Sequence, residues 1–307
     1  MQSGYPVKTA ESALARAVGR ERSGWWYCWA ELVKARLTSL VLLTTLVGFY
    51  LGLSGPVDGV RLVATLVGMA LLAGGGAALN EWMERDADAL MPRTRHRPLP
   101  AGQMQPVTAL WAGTGMVVAG LGVLGVGAHG LAAVLGAVTL AAYLGLYTPL
   151  KRVTCWNTWV GAVPGALPPV VGWAAAAGSV PAEAWSLFGI VACWQMPHFY
   201  GIAWLYRDEY AQAGFRMLPQ VDPDGRRTGR QAVLWTSLLV PVSLLPWWQG
   251  VVGSMYAGVA AVLGLAYLVT AICFARERSP GSARRLFLAS IVYLPLLLVF
   301  LTIDKVR

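Results

Sequence analysis

The sequence predicts an all-α, polytopic membrane protein with nine transmembrane helices. Of its 307 residues, 56% are hydrophobic and only 13% are charged, whereas a soluble domain carries about 25% charged residues. Apolar runs of about 20 residues recur along the chain, and each is long enough to cross the hydrocarbon core of a bilayer. The net charge of +9 is interpreted as a signal of membrane orientation, so nucleic-acid binding is not expected.

The predicted spans divide the chain into an N-terminal segment and one membrane domain. Residues 1–36 are polar and then aromatic, and we expect a cytoplasmic, interfacial segment there. Residues 37–307 form the membrane domain. Its predicted spans are Leu37–Leu53, Gly59–Leu79, Val107–Ala128, Leu131–Tyr147, Thr158–Ala177, Ala184–Trp204, Val233–Trp248, Val252–Phe274 and Leu286–Ile303.

Basic residues are distributed unevenly between the two sides of these spans. All but three of the 24 Lys and Arg residues precede the first span or follow an even-numbered one. The three exceptions are Arg61, Lys305 and Arg307. Because cytoplasmic loops carry the excess of Lys and Arg, the N-terminus is predicted to be cytoplasmic and the C-terminus external.

A dense group of acidic residues lies where the second span ends. At about 100° per residue, Asn80, Glu81, Glu84 and Asp88 share one helix face, while Asp86 points away. Like charges at this spacing repel, and the C-terminal end of a helix is unfavourable for carboxylates. A Mg²⁺ ion would convert this repulsion into coordination, because it takes carboxylate oxygens, waters and substrate phosphates. The pattern favours a metal–phosphate site over a solvated charged loop.

Basic residues on the same predicted side are candidates to hold the phosphates, because Arg and Lys donate charge-assisted hydrogen bonds to them. The alternative is that they only signal topology. These residues are Lys34 and Arg36 before the first span, Arg93, Arg95 and Arg97 after the second, and Lys151 and Arg152 after the fourth.

A second group of polar residues follows the sixth span. Its acids are Asp208, Glu209, Asp222 and Asp224, and His198 lies near the end of that span, ten residues before Asp208. Polar groups at membrane depth are functional candidates, and Pro197 is expected to disrupt the helix so that His198 turns inward. Two acid groups facing one cavity would hold a metal–diphosphate between them. A charged loop and an interfacial histidine are the alternatives.

Several sequence blocks resemble a known family. The first block is Asn80, Glu84, Asp86 and Asp88 followed by Arg93, Thr94, Arg97 and Pro98; the second is Tyr147-Thr148 with Lys151-Arg152; the third is Trp194-Gln195-Met196-Pro197-His198-Phe199 with Asp208-Glu209-Tyr210. They resemble the UbiA superfamily of intramembrane prenyltransferases, and within it the branch that farnesylates haem. Glu84 replaces the Asp that is usual there, so the metal geometry is expected to shift.

The resemblance implies a UbiA-type bundle around a central cavity, in a bacterial inner membrane. It implies farnesyl transfer from farnesyl diphosphate to a vinyl group of haem B, giving haem O for oxidase biogenesis, with Mg²⁺ as cofactor. A haem A synthase or an oxidase-assembly protein is an expected partner. The implied site residues are Asn80, Glu84, Asp88 and Lys151 for catalysis; Asn80, Glu84, Asp88, Asp208 and Glu209 for the metal; Lys34, Arg36, Arg93, Arg97 and Arg152 for the diphosphate; and His198, Trp194 and Phe199 for haem.

Two other functions remain open from the sequence. One is prenyl transfer to an aromatic acid or quinone precursor, against which the Pro197-His198-Phe199 block argues. The other is a non-enzymatic transporter or oxidase-assembly factor. Such a protein needs ionisable residues along a path through the membrane, whereas the acids here gather at one face.

Overall fold

The computed structural model describes residues 24–306, and these fold into a bundle of α-helices. A short helix precedes the first long one, and two short helices lie in the loop between the sixth and seventh long ones. The helices are α1 (Trp25–Leu32), α2 (Ala35–Gly52), α3 (Gly59–Asp88), α4 (Pro106–Ala128), α5 (Gly130–Leu150), α6 (Asn157–Ala177), α7 (Ala182–Leu205), α8 (Arg207–Gln212), α9 (Leu218–Val221), α10 (Arg226–Trp248), α11 (Ser254–Glu277) and α12 (Pro280–Ile303).

The nine long helices correspond one to one with the predicted spans. Among the described residues, eight of them are long and apolar enough to cross a membrane. The ninth, α7, has 24 residues, but Gln195, Pro197 and His198 make it less apolar. The predicted all-helical membrane fold is confirmed, and α3, α10 and α12 extend about two turns beyond their predicted spans at the polar end.

The structure describes only the last part of the N-terminal segment. Residues 1–23 and 307 lie outside the described part of the chain, so the division into 1–36 and 37–307 stays a prediction. In α1, Trp25 and Trp26 are exposed, which agrees with an aromatic belt at a membrane interface.

Glycines allow the helices that carry the site to approach closely. A Cβ at Gly48 of α2 would lie 1.9 Å from the backbone oxygen of Pro169, and a Cβ at Gly172 of α6 would lie 2.0 Å from that of Thr45. Small residues at helix crossings permit this backbone contact inside a membrane. The contact holds α2 against α6, and both helices contribute to the wall of the cavity described below.

A small apolar cluster joins the loop after α3 to the loop after α7. Its buried members are Ala87, Met91, Ala203, Ala213, Phe215 and Met217. The polar loops that follow two helices far apart in the chain are therefore packed against each other at one end of the bundle.

We predict that Gly48→Ala destabilises the protein by about 1–3 kcal/mol, because the added methyl group forces apart two packed backbones. Gly115→Ala in α4 is the matched control, since its Cβ would meet nothing within 4 Å. The midpoint of thermal unfolding in detergent measures both variants. An equal effect of the two substitutions would contradict the packing described here.

Candidate active site

The charged residues of the bundle converge on one cavity of about 400 Å³, within the range usual for small-molecule sites. At one end the charged side chains of its lining are Lys34, Glu84, Asp88, Arg93, Arg97 and Lys151. Most of the remaining wall is apolar and comes from α2, α3, α5, α6 and α7. The cavity therefore suits a ligand with a charged head and an apolar body.

The acidic face of α3 is buried where the sequence predicts it. Asn80, Glu81, Glu84 and Asp88 are each at most 5% exposed, while the Asp86 side chain is 85% exposed. Glu81 does not line the cavity; its Oε1 accepts a hydrogen bond from the backbone N–H of Leu99 at 3.2 Å. This bond holds the loop that carries Arg97 against the helix.

The two carboxylates of this face that line the cavity are each paired with a cationic side chain from another segment. Lys151, just after α5, lies 2.8 Å from Glu84 Oε1 and donates a hydrogen bond to Oε2 at 3.0 Å. Arg97 of the loop after α3 lies 2.7 Å from Asp88 Oδ2. Such pairing is required, because an unpaired buried charge costs several kcal/mol.

Asn80 joins two further segments to the site. Its Oδ1 accepts a hydrogen bond from Lys34 Nζ at 2.7 Å, and its Nδ2 donates one to Thr148 Oγ1 at 3.1 Å. Lys34 stands between α1 and α2 with a φ of 47°, a left-handed conformation that is uncommon outside glycine. This turn separates the two helices at the point where the lysine enters the cavity.

The lining carries more positive than negative charge. Burial, together with the nearby positive charges of Arg97 and Lys151, lowers the pKa of Lys34 to about 8. Cations crowded in this way favour a bound anion, because an anion relieves their mutual repulsion. The polar end of the cavity is therefore an anion site as well as a candidate metal site.

The oxygen atoms of the α3 face fit a hard cation. Glu84 Oε1 is buried and has no aligned hydrogen-bond donor among the described residues, although Lys151 balances its charge. Asn80 and Asp88 add oxygen donors one turn away on either side, and such a set suits Mg²⁺ completed by waters or phosphate oxygens. Within residues 24–306, no group of three or more His, Cys, Asp or Glu side chains is placed to hold a metal. The fit therefore rests on two carboxylates, one amide and ligands from outside the protein.

The second acid group is not part of the cavity lining, which corrects the expectation that it faces the first. Helix α7 ends at Leu205, and α8 turns Asp208 into solvent, where its side chain is 90% exposed. Glu209 Oε2 accepts a hydrogen bond from the backbone N–H of Arg93 at 3.3 Å. These acids thus lie at the surface and in a contact between loops.

Asp222, from the same loop, is buried and structural. Its Oδ2 accepts hydrogen bonds from the N–H of Thr228 at 2.6 Å and from Thr228 Oγ1 at 2.8 Å. These bonds satisfy an otherwise free N–H in the first turn of α10.

Two of the basic residues predicted to bind diphosphate also lie outside the cavity. Arg36 and Arg152 are exposed and do not line the cavity. Arg93 does line it, with its guanidinium carbon 5.3 Å from the ring centre of Tyr206 and 5.8 Å from that of Tyr210. Of the five residues predicted to bind diphosphate, the structure brings Lys34, Arg93 and Arg97 to the cavity.

His198, Trp194 and Phe199 also line the cavity. The His198 ring lies 5.2 Å from that of Trp194 and 5.1 Å from that of Phe287, and its Nδ1 is 2.7 Å from Ser290 Oγ. Helix α7 runs unbroken through Pro197, so the expected local disruption is wrong. His198 reaches the cavity from its position on the helix face.

Several lining or supporting residues were given no role from the sequence. Tyr143 lies in a π-helical turn of α5 (Ala141–Tyr147), a feature frequent at functional sites. Gln195 lines the cavity and was detectable as an amide within a span. Thr148 is a member of the second resembling block, but no role was assigned to it. Ser290 sits in an apolar run, and nothing in the sequence marks it.

Comparison with known proteins gives consistent matches. Residues 41–297 match the UbiA prenyltransferase family. A protein from Solibacter usitatus named protoheme IX farnesyltransferase is 46% identical over 284 residues, covering 90% of this chain and 97% of that protein. One of the same name from Salinibacter ruber is 45% identical over 273 residues, covering 89% and 96%.

Solved structures share the fold. A UbiA homologue from Archaeoglobus fulgidus bound to GPP and Mg²⁺ has a TM-score of 0.66 at 15% identity, covering 90% of this chain and 99% of that one. A structure of digeranylgeranylglyceryl phosphate synthase has a TM-score of 0.75 at 13% identity, covering 91% and 98%. At these identities the likeness concerns the fold alone.

We predict that Lys151→Met weakens binding of a prenyl diphosphate analogue about 10- to 100-fold. The reason is that a hydrogen bond to a charged group contributes about 1.5–3 kcal/mol, and 1.4 kcal/mol is a factor of ten. Arg152→Met is the matched control, because Arg152 is the next residue in the chain but its side chain lies outside the cavity. Calorimetric titration with Mg²⁺ present measures both, and equal affinities in the two variants would contradict this site.

Proposed function

Since the chain belongs to the UbiA prenyltransferase family, we propose that it transfers a farnesyl group from farnesyl diphosphate to a vinyl group of haem B, releasing diphosphate. A water molecule captures the cation that this leaves on the vinyl group once the carbon–carbon bond has formed, and it supplies the hydroxyl of haem O. The observation that carries this function is a single cavity with two chemically different parts of its wall. One part holds buried carboxylates paired with cations, and another holds His198, Trp194 and Phe199. The relatives named protoheme IX farnesyltransferase support the choice of acceptor.

The charged end is proposed to bind the leaving group. Breaking the bond between farnesyl C1 and oxygen leaves the electron pair on diphosphate, so this charge must be stabilised. Lys34, Arg93, Arg97 and Lys151 face the cavity and are placed to donate hydrogen bonds to phosphate oxygens. The Lys34 ammonium, already crowded by positive neighbours, is stabilised when an anion binds.

The metal is proposed to be Mg²⁺, held by Asn80, Glu84 and Asp88. When bound, it supplies positive charge to the phosphate oxygens of the leaving group. With a metal held there, Lys151 and Arg97 would no longer be needed to balance the carboxylates and would be free to donate hydrogen bonds to the diphosphate. Asp208 and Glu209 have no part in this scheme, because their side chains lie outside the cavity lining.

The apolar wall is proposed to protect the reactive intermediate. An allylic cation reacts with water, so the reaction needs a cavity from which water is excluded. Leu40, Val41, Met69 and Leu72 line this part and suit a farnesyl chain. Leu37 lines the cavity and is also 52% exposed on the bundle surface, which marks a place where a lipid-dissolved chain can enter.

The aromatic part is proposed to hold the acceptor. Haem is planar and largely apolar, and the ring of Phe199 offers a surface for stacking, with the apolar ring of Trp194 beside it. His198 is the one histidine among the described residues that lines the cavity, and it is placed to approach the haem iron.

The protein is a multi-pass membrane protein. We propose that it lies in a bacterial inner membrane with the charged end of the cavity facing the cytoplasm. Association with a haem A synthase or an oxidase-assembly protein stays a prediction.

Given haem B, farnesyl diphosphate and Mg²⁺, the purified protein is expected to yield haem O, detected by chromatography and mass spectrometry. Asp88→Asn is expected to slow this reaction about 100-fold, because one charged contact to the transition state is lost. Asp208→Asn is the matched control and is expected to retain activity. Full activity in EDTA, or in Asp88→Asn, would refute the metal–diphosphate scheme.

Reporter fusions test the orientation. The uneven distribution of Lys and Arg predicts a cytoplasmic signal at residues 100, 152 and 222 and an external signal at residue 307. An external signal at residue 100 would place the charged end of the cavity on the external side of the membrane and would contradict the proposed orientation.

A further inference from the structure

A hydrogen-bonded chain connects His198 to α12. Ser290 of α12 is fully buried, and its hydroxyl makes two contacts that bear on His198. It donates a hydrogen bond to the backbone oxygen of Phe287, and its oxygen lies 2.7 Å from His198 Nδ1. His198 and Ser290 are 92 residues apart in the chain, so the contact depends on the packing of α7 against α12.

The two contacts of the Ser290 hydroxyl assign the direction of both hydrogen bonds. The carbonyl oxygen of Phe287 only accepts, and the close contact between the two oxygens places the single hydrogen of the Ser290 hydroxyl between them. The Ser290 oxygen is then left to accept, which assigns a hydrogen to His198 Nδ1. In a neutral imidazole the other nitrogen, Nε2, therefore carries the lone pair. Nε2 has no hydrogen-bond partner among the described residues, and the His198 side chain lines the cavity.

The ring plane is fixed by the same residue. The His198 ring stacks on Trp194 with an angle of 25° between the planes. Trp194 Nε1 donates a hydrogen bond to the backbone oxygen of Ser290 at 2.8 Å. Ser290 thus anchors both rings. Rotating the imidazole by half a turn would break the contact between His198 Nδ1 and the Ser290 hydroxyl.

We propose that Ser290 is a positioning residue that holds His198 in the tautomer whose Nε2 lone pair is offered to the iron of the haem substrate. Histidines that bind metals almost always donate the hydrogen of their other nitrogen to a nearby acceptor, which fixes the ring and raises its basicity. The iron is the electron-pair acceptor. Because the Nε2 lone pair lies in the plane of the imidazole, the haem plane stands across that ring, as the Phe199 ring does at 63°, and not parallel to it as the Trp194 ring does. This inference rests on the proposed function, because haem is its ligand.

The tautomer is tested directly on the haem-free protein. The chain has three histidines, so nitrogen-15 NMR of labelled protein, with His198→Ala for assignment, isolates the His198 signals. The wild type is expected to show hydrogen on Nδ1, and Ser290→Ala is expected to shift population to the Nε2–H form. A wild-type His198 with hydrogen on Nε2, or a tautomer unchanged in Ser290→Ala, would overturn the proposal.

Haem binding tests the consequence of this tautomer, which is the contact between His198 Nε2 and the haem iron. Titration of ferric haem B is expected to show about a tenfold loss of affinity in Ser290→Ala and an altered absorption spectrum, since losing the acceptor behind a ligating histidine costs about 10- to 100-fold. Ser290→Thr retains a hydroxyl and is expected to restore the wild-type spectrum. Binding of a farnesyl diphosphate analogue is expected to stay unchanged in both variants.

Ser243→Ala is the matched control. Ser243 is also fully buried and donates to a backbone oxygen one turn back, that of Val240, at 2.8 Å, but it has no histidine partner. A haem affinity and spectrum that are the same in Ser290→Ala and Ser243→Ala would overturn the iron contact. A wild type that binds no haem yet shows the expected tautomer would instead overturn the proposed function and, with it, the iron contact.

Discussion

The buried acidic face of α3 is the constraint on which the rest of the site depends. Glu84 and Asp88 are at most 5% exposed, and leaving either charge unpaired would cost several kcal/mol. Their partners Lys151 and Arg97 come from two different loops, and Lys34 reaches Asn80 from a third segment. The fold must bring these segments to one point, and that point is the charged end of the cavity.

The same pairs explain how the site can serve a reaction. Glu84 and Asp88 are each balanced by a side-chain cation, so neither charge is left alone in a low-dielectric cavity. In the proposed function, Asn80, Glu84 and Asp88 would hold the metal, and Lys151 and Arg97 would then be free to donate hydrogen bonds to the diphosphate.

The sequence predicts the residues of the α3 face better than it predicts which residues from other segments join them. The shared face of Asn80, Glu84 and Asp88 follows from helical periodicity alone, and the structure has it. Periodicity says nothing about Asp208, because α7 ends at Leu205 and the next turn faces solvent. Arg36 lies only two residues from Lys34, yet its side chain is exposed and outside the cavity, whereas Lys34 lines it.

Contacts between distant helices lie beyond sequence reasoning. Ser290 is an ordinary small residue in an apolar run, and its role behind His198 exists only because α12 packs against α7. Gln195 and His198 carry a signal of their own, since polar groups inside a span need a reason. Sequence reasoning thus finds the residues that are unusual for their environment, and it misses the common ones that support them.

The position of the bound metal tests the central claim most directly. A structure determined with Mn²⁺ and a non-hydrolysable prenyl diphosphate, with the anomalous signal of manganese, locates the ion without reference to activity. Manganese bound by Asn80, Glu84 and Asp88, with Lys151 and Arg97 turned to the phosphates, is the predicted result. Manganese bound at Asp208 and Glu209, with the pairs of Glu84 and Asp88 intact, would contradict it.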